Sequence, residues 1–183
     1  MGTQGADMRL STLLALAALV ALYVWSQGVN RSPDTRSAPS VGRARAVDGD
    51  SLVLNGREMR LQGIDAPEFA QTCRRAGAEY ACGREAHQAL RALIRQAEVT
   101  CSGFERDRFG RLLVTCQAGG VDIAARLVSD GHAVAYGDYM IEEARARNAR
   151  RGLWAGEFQM PRDWRASHPR GASASPDAPA GVK

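Results

Sequence analysis

Lysine is nearly missing from this chain of 183 residues, occurring only as Lys183, so the positive charge is almost entirely guanidinium. A strong excess of one sign is missing too. The whole chain carries +4, and from Gly42 to Arg165 there are 19 Lys/Arg against 17 Asp/Glu, a net of +2. That balance permits a nucleic-acid partner without arguing for one. No C-x₂-C or H-x₃-H spacing is present, which sets a zinc site aside. Cysteine is scarce, four residues in all, and none precedes Cys73. The single long apolar run, residues 10–25, is sixteen residues interrupted by Ser11 and Thr12, short of the ~20 that span a bilayer.

That run follows Met8-Arg9 and has the charged front and apolar middle of an export segment. No Ala-x-Ala site follows it, since the exit reads Val24-Trp25-Ser26-Gln27-Gly28, so a cleaved signal and an uncleaved anchor both remain open over residues 1–28. The domain behind it is expected outside the cytoplasm, whether periplasmic, tethered to the membrane through an uncleaved segment, or secreted. Residues 29–40 and 166–183 are rich in Ser, Pro, Ala and Asp without apolar periodicity. They read as a flexible linker and a disordered tail around one domain at 41–165. A monomer is expected.

Four cysteines in an exported chain favour disulfides, and three pairings are possible. Cys73 and Cys82 bracket one polar loop, while Cys101 and Cys116 bracket a hairpin pattern, so the expected bridges are 73–82 and 101–116. Strands are expected at 43–47, 51–54 and 58–64, joined by the turn signals Asp48-Gly49 and Asn55-Gly56. Two more are expected at 99–104 and 111–117. Apolar residues at helical spacing predict an amphipathic helix over 83–97 and a second over 121–129 with Val121, Ala124, Ala125, Leu127 and Val128 inward, and an arginine-rich third helix is expected over 138–150, ended by Gly152. The expected class is α+β: a closed five-stranded barrel of the oligonucleotide-binding type with about three helices. Trp154, Phe158 and Trp164 read as a C-terminal clasp packed on that barrel.

Two short stretches concentrate the chemistry. Asp48-Gly49-Asp50-Ser51 and Arg60-Leu61-Gln62-Gly63-Ile64-Asp65-Ala66-Pro67-Glu68 bring acids and an arginine together at strand ends and loops. Carboxylate oxygens suit a hard divalent cation and a guanidinium forks onto phosphate, so a metal-dependent phosphodiesterase is the first hypothesis. Each stretch alone also has a plain reading, the first as a hairpin turn and the second as a strand end leading to a helix start with proline in its first turn. The direction of Arg60 is not fixed by the pattern, and Arg111 could equally open a solvated strand. His87 falls on the polar face of a helix and His132 follows a helix region, which suits neither to a general-acid role.

Taken in series, Val47-Asp48-Gly49-Asp50-Ser51, Arg60-Leu61-x-x-Ile64-Asp65-Ala66-Pro67-Glu68, Asp107-Arg108-Phe109-Gly110-Arg111 and Asn148-Ala149-Arg150-Arg151-Gly152-Leu153-Trp154 resemble the thermonuclease, or staphylococcal nuclease-like, family. The resemblance implies that Asp50, Asp65 and the backbone carbonyl of Ala66 hold a catalytic Ca²⁺. It implies Glu68 as the general base that orients or deprotonates water, and Arg60 and Arg111 as the guanidiniums that stabilise the transition state. The implied reaction is attack at phosphorus with cleavage of the 5′ P–O bond in DNA or RNA. Tyr136 looks like a base-stacking tyrosine of that family, and is as readily structural. Phe109 stands where some members carry an aromatic hydroxyl, and residues 71–80 resemble an insertion of an exported bacterial branch. A catalytically silent nuclease-like barrel, kept for binding or scaffolding in the envelope, is the competing reading.

Overall fold

The computed structural model describes residues 38–169 and, ahead of them, Leu19 alone. Apart from Leu19, the export segment expected at 1–28 lies outside the described residues, as do 29–37 of the linker and 170–183 of the tail. Among the described residues no helix is long and apolar enough to cross a membrane.

The chain opens with β1 (Ser40–Gly42) and β2 (Ala44–Ala46), then turns into β3 (Ser51–Leu54) and β4 (Arg57–Leu61). Strands β2, β3 and β4 form the expected antiparallel meander. Asn55 and Gly56 both take positive φ, at 51° and 75°, as the two-residue turn between β3 and β4 requires. Alternation in β4 buries Met59 and Leu61 and turns Arg60 to the other face, which settles the direction that the pattern left open. Further along the chain come β8 (Val99–Ser102) and β9 (Leu112–Ala118), an antiparallel pair whose inward row includes Val114, Cys116 and Ala118. Strand β9 also pairs in parallel with β4, so the sheet is mixed and the class is α+β.

The expected closed barrel is corrected by the pairing itself. The ladder runs β1-β8-β9-β4-β3-β2, with β10 (Val121–Asp122) added on β9, and β1 and β2 at its two ends do not pair with each other. They are consecutive pieces of chain with Arg43 between them, one given to β8 and the other to β3. A single N-terminal segment divided between two ladders joins the ends covalently, leaving no hydrogen-bonded closure.

Helix α1 (Cys82–Ile94) buries Ala86, Leu90 and Ile94 against the sheet and stops three residues short of the expected end. Helix α2 (Ile123–Ser129) begins later than expected because Asp122 caps it, its side chain accepting the N–H of Ala125 at 3.0 Å. Val121 therefore belongs to β10 and is exposed, and the buried face is Ile123, Ala124, Leu127 and Val128. Strand β5 (Ile64–Asp65) pairs with β11 (Val134–Ala135), which leads into α3 (Met140–Asn148). A 3₁₀ turn at Gly152–Ala155 and a fourth helix, α4 (Pro161–Ser167), complete the described chain. Periodicity does not announce helix α4, which is seven residues long with only Pro161 buried.

Both expected bridges form. Cys101 and Cys116 lie directly opposite in the β8–β9 register, and Cys73 joins Cys82 across a two-stranded ribbon, β6 (Cys73–Arg75) and β7 (Ala78–Tyr80). The ribbon is the segment read as an insertion. It is tied to the C-terminal stretch by paired backbone bonds between Arg74 and Glu157, at 2.9 and 2.8 Å. The 73–82 bridge, Val134 and Leu153 form a second small core, on which Trp154 and Phe158 pack edge to face with centroids 5.0 Å apart. Trp164 stands apart from this clasp and stacks on His168.

Candidate active site

The Asp48-Gly49-Asp50 stretch is both a turn and a site. The Asp48 carboxylate accepts the N–H of Asp50 at 3.0 Å, closing the local turn, and this aims the Asp50 side chain inward, where the residue is 3% exposed. Gly49 is squeezed beneath it. A Cβ at this position would lie 2.7 Å from that of Ala66 and 2.9 Å from that of Ala86, so only glycine lets β2, α1 and the Asp65-Ala66 segment meet. The Ala66 N–H donates to Asp50 Oδ2 at 3.0 Å, binding the two acidic stretches together.

Arg60, opposite Ser51 in the β3–β4 register, bridges the acids. Its Nη1 donates to Asp50 Oδ1 and its Nη2 to Asp65 Oδ1, each at 2.8 Å. Ser51 Oγ also donates to Asp50 Oδ1, at 3.1 Å, and accepts from Arg111 Nη1 at 3.4 Å. Arg111 is itself held by Asp107, whose Oδ2 accepts from its Nε and Nη2 at 2.8 Å, and it lies 3.7 Å from Glu58. Asp50, Ser51, Arg60, Asp65 and Arg111 thus form one continuous network, which reaches across 60 positions from Ser51 to Arg111.

Glu68 joins this network through a residue that no sequence motif marks. Arg165, on α4, places Nη2 2.9 Å from Asp65 Oδ2 and Nη1 3.0 Å from Asp65 Oδ1, while the same Nη1 donates to Glu68 Oε1 at 3.1 Å. The guanidinium forks across Asp65 and holds Glu68 beside it. No local pattern signals this role, because α4 is short and weakly apolar and Arg165 lies 100 positions from Asp65. Gln71 is the second such residue. Fully buried, it accepts the Glu68 N–H at 3.2 Å, its backbone N–H donates to Glu68 O at 2.7 Å, and its amide donates to Gln159 O at 2.7 Å. It fastens the Glu68 turn to the segment that leads into α4. Gly83 closes the other side, where any Cβ would strike the Glu68 carbonyl.

Burial dominates the electrostatics of Asp50. It pushes the carboxyl up to about 7 against the opposing pull of Arg60 and the Ala66 N–H, with Asp48 and Asp65 adding like charge. Burial alone would lower the pKa of Arg60, but Asp50 and Asp65 outweigh it and raise it. Arg165 is raised by its bonds to Asp65 and then by Glu68. For Asp107, desolvation is outweighed by the bonds from Arg111, and the carboxyl sits below its usual value.

The remaining candidates lie around this centre. Tyr136 is 70% exposed, and its N–H donates to Gly63 O at 2.8 Å, which puts it at the end of β11 near the Asp65 strand. Phe109 is exposed, with the guanidiniums of Arg108 and Arg111 over its ring at 4.8 and 5.6 Å. His87 sets its ring against Phe69, while His132 is half-buried and its pKa is lowered by desolvation. Among the described residues no three His, Cys, Asp or Glu side chains gather as a metal cluster. The oxygen donors at the centre nonetheless suit a hard cation. They are the carboxylates of Asp50 and Asp65, with the Ala66 backbone held against Asp50 through its N–H, and burial makes the Asp50 charge costly unless a cation accompanies it. The guanidiniums of Arg60 and Arg165 supply positive charge at the same oxygens.

A family model described as "Staphylococcal nuclease homologue" matches residues 58–156. The chain is 36% identical over 124 residues to "Succinoglycan biosynthesis protein ExoI" of Rhizobium meliloti (strain 1021), covering 63% of this chain and 65% of that protein. It is 35% identical over 124 residues to "Probable staphylococcal-like nuclease CAN4" of Oryza sativa subsp. japonica, covering 64% of this chain but only 23% of that protein. An "Uncharacterized endonuclease" of Escherichia coli O157:H7 is 32% identical over 128 residues, covering 64% of this chain and 78% of that protein. The match thus spans less than two thirds of the first two of these relatives. With the family model covering more than half of the sequence and the acid and arginine set gathered at one centre, this chain belongs to the staphylococcal nuclease homologue family.

Proposed function

We propose that this protein is a Ca²⁺-dependent nuclease that hydrolyses phosphodiester bonds of DNA or RNA. The observation that carries the reading is the network of Asp50, Asp65, Glu68, Arg60 and Arg111, made continuous by Ser51 and Arg165. Asp50, Asp65 and the Ala66 carbonyl would hold the cation, which supplies Lewis-acid polarisation of the phosphoryl oxygen when bound. Glu68, held by Gln71 and oriented by Arg165, takes the proton of the attacking water. Arg60 and Arg111 face the charge that develops on the phosphoryl oxygens, Arg111 being pre-set by Asp107 so that little reorganisation is left for the reaction. The two disulfides fit an oxidising compartment, which supports the export read from residues 10–25.

Plasmid DNA incubated with the protein and Ca²⁺ is expected to be nicked, and chelation or Glu68→Gln to reduce the rate strongly. Absence of chelator-sensitive cleavage, where calorimetry shows Ca²⁺ bound, would overturn the nuclease reading. A second reading has its own support: Arg165 already neutralises Asp65 and Glu68, and one similar protein is named for succinoglycan biosynthesis. On that reading the fold is a catalytically silent binding or scaffolding module of the envelope. Cation binding without turnover is the result it expects.

A further inference from the structure

A second concave feature lies away from the carboxylate centre, between β2 and α1. It is a cavity of about 470 Å³, floored by Ala46 and Ile94 and walled by Arg45, His87, Arg91 and Arg95. No acidic side chain lines it, and among the described residues no carboxylate pairs with Arg45, Arg91 or Arg95. In a chain whose other site arginines are engaged by acids, three exposed guanidiniums around one hollow form an uncompensated positive patch. Their spacing is ordered by the secondary structure. His87, Arg91 and Arg95 follow at i, i+4 and i+8 along α1 and its C-cap, one turn apart on one face, with Arg45 on the adjoining strand.

The hollow also has a direction. Its His87 end touches Phe69, ring centroids 5.4 Å apart and edge to face, and Phe69 is half exposed and follows Glu68 in sequence. One turn before His87, Gly83 lies against the Glu68 carbonyl, and Ala86 packs under Gly49 beside Asp50. The patch therefore begins where the carboxylate centre ends and runs along α1 away from it. An exposed aromatic ring followed by a row of guanidiniums is the chemistry of a track for a single nucleic-acid strand, the ring for a base and the arginines for successive phosphates.

We propose that the groove of Arg45, His87, Arg91 and Arg95 binds the sugar–phosphate backbone of one nucleic-acid strand, extending the substrate path beyond the catalytic centre with Phe69 as the stacking step between them. The proposal rests on the nuclease reading for its substrate class. Its test does not need turnover.

The experiment is fluorescence anisotropy of a labelled 20-nucleotide single strand with the full-length protein in chelator, across a salt series. The triple variant Arg45→Gln/Arg91→Gln/Arg95→Gln is expected to bind at least ~10-fold more weakly at 100 mM salt. Its log–log salt slope should fall by about 2, since each phosphate that a guanidinium neutralises on a single strand accounts for about 0.7 of the slope. The Arg→Lys triple keeps the charge and is expected to retain most of the slope. A control triple, Arg126→Gln/Arg147→Gln/Arg162→Gln, alters arginines already paired with acids on other surfaces and should leave the slope nearly intact. Circular dichroism melting checks that each variant is folded.

An unchanged slope in a folded groove variant, or an equal loss in the control, would overturn the proposal. So would preferential binding of the wild type, through these arginines, to phosphatidylserine vesicles over the oligonucleotide. If the groove variant loses binding and no cleavage is ever seen with Ca²⁺, the nuclease reading falls and the strand-binding groove stands. If cleavage is seen and the slope does not move, the reverse holds.

Discussion

Replacing Arg165 by glutamine tests whether α4 holds the acidic centre together and whether it competes there with a cation. Arg165 makes two bonds to Asp65 and one to Glu68, and Asp65 is 5% exposed, so the substitution strips a buried carboxylate of its bidentate partner. Breaking a buried ion pair costs about 3–5 kcal/mol. Here the guanidinium is 33% exposed and Asp65 keeps its bond from Arg60, so solvent screening and the remaining partner bring the expectation down to about 2 kcal/mol. For a folded unit of this size that corresponds to a fall in Tm of about 6–10 °C in chelator. Ca²⁺ should narrow the deficit. On the proposed reading the cation and Arg165 draw on the same oxygens of Asp65, and removing a competitor worth about 2 kcal/mol would tighten apparent Ca²⁺ affinity about 30-fold. Calorimetric Ca²⁺ titration and melting with and without Ca²⁺ read both effects. Equal or weaker Ca²⁺ affinity in the variant would refute the competition, and an unchanged Tm in chelator would refute the structural role.

Arg111→Ala should slow cleavage by at least ~10²-fold, the scale for losing one transition-state donor, and initial rates on plasmid DNA measure it. Gly83→Ala should destabilise the fold by about 1–3 kcal/mol in urea titrations, because its methyl meets the Glu68 carbonyl and backbone must move. Raising the Asp50 pKa by burial means the native state binds a proton that the unfolded chain has lost. In chelator, its contribution to stability is therefore present at low pH and lost as pH rises from about 4 to about 7. The difference in unfolding free energy between wild type and Asp50→Asn, followed over that range, isolates this slope from the opposite one of His132, whose pKa is lowered. Removing the Cys101–Cys116 bridge, which closes a loop of 15 residues, should cost about 3 kcal/mol, read as a drop in Tm of Cys101→Ala/Cys116→Ala with the 73–82 bridge intact.

How much of the fold and the site is legible in the sequence follows from the range of each interaction. The meander, the Asn55-Gly56 turn and the buried face of α1 rest on neighbours within a few residues, and they stand as the periodicity indicates. The two bridges are legible because one pair brackets a short polar loop and the other a hairpin, which is local geometry again. Asp122 reads as helix because the apolar pattern runs through it, whereas its capping bond to Ala125 sets the boundary. The barrel closure fails for a longer-range reason: which strand a β-segment pairs with is decided across the sheet, and here one short N-terminal segment serves two partners.

The sequence by itself determined which acids and arginines could act, because their side-chain chemistry and order along the chain are properties of the residues. It determined also which face of α1 would be dry, with Ala86, Leu90 and Ile94 inward. The tertiary structure alone decided that Arg60 bridges Asp50 and Asp65, that Arg165 returns from the last helix to fork across Asp65 and Glu68, and that Gln71 ties the Glu68 turn to the chain before α4. These bonds join residues as far as 100 positions apart, and no local period encodes such a meeting. It arises only when the folded chain brings buried charges together, where each must find a partner or bear the full cost of leaving water.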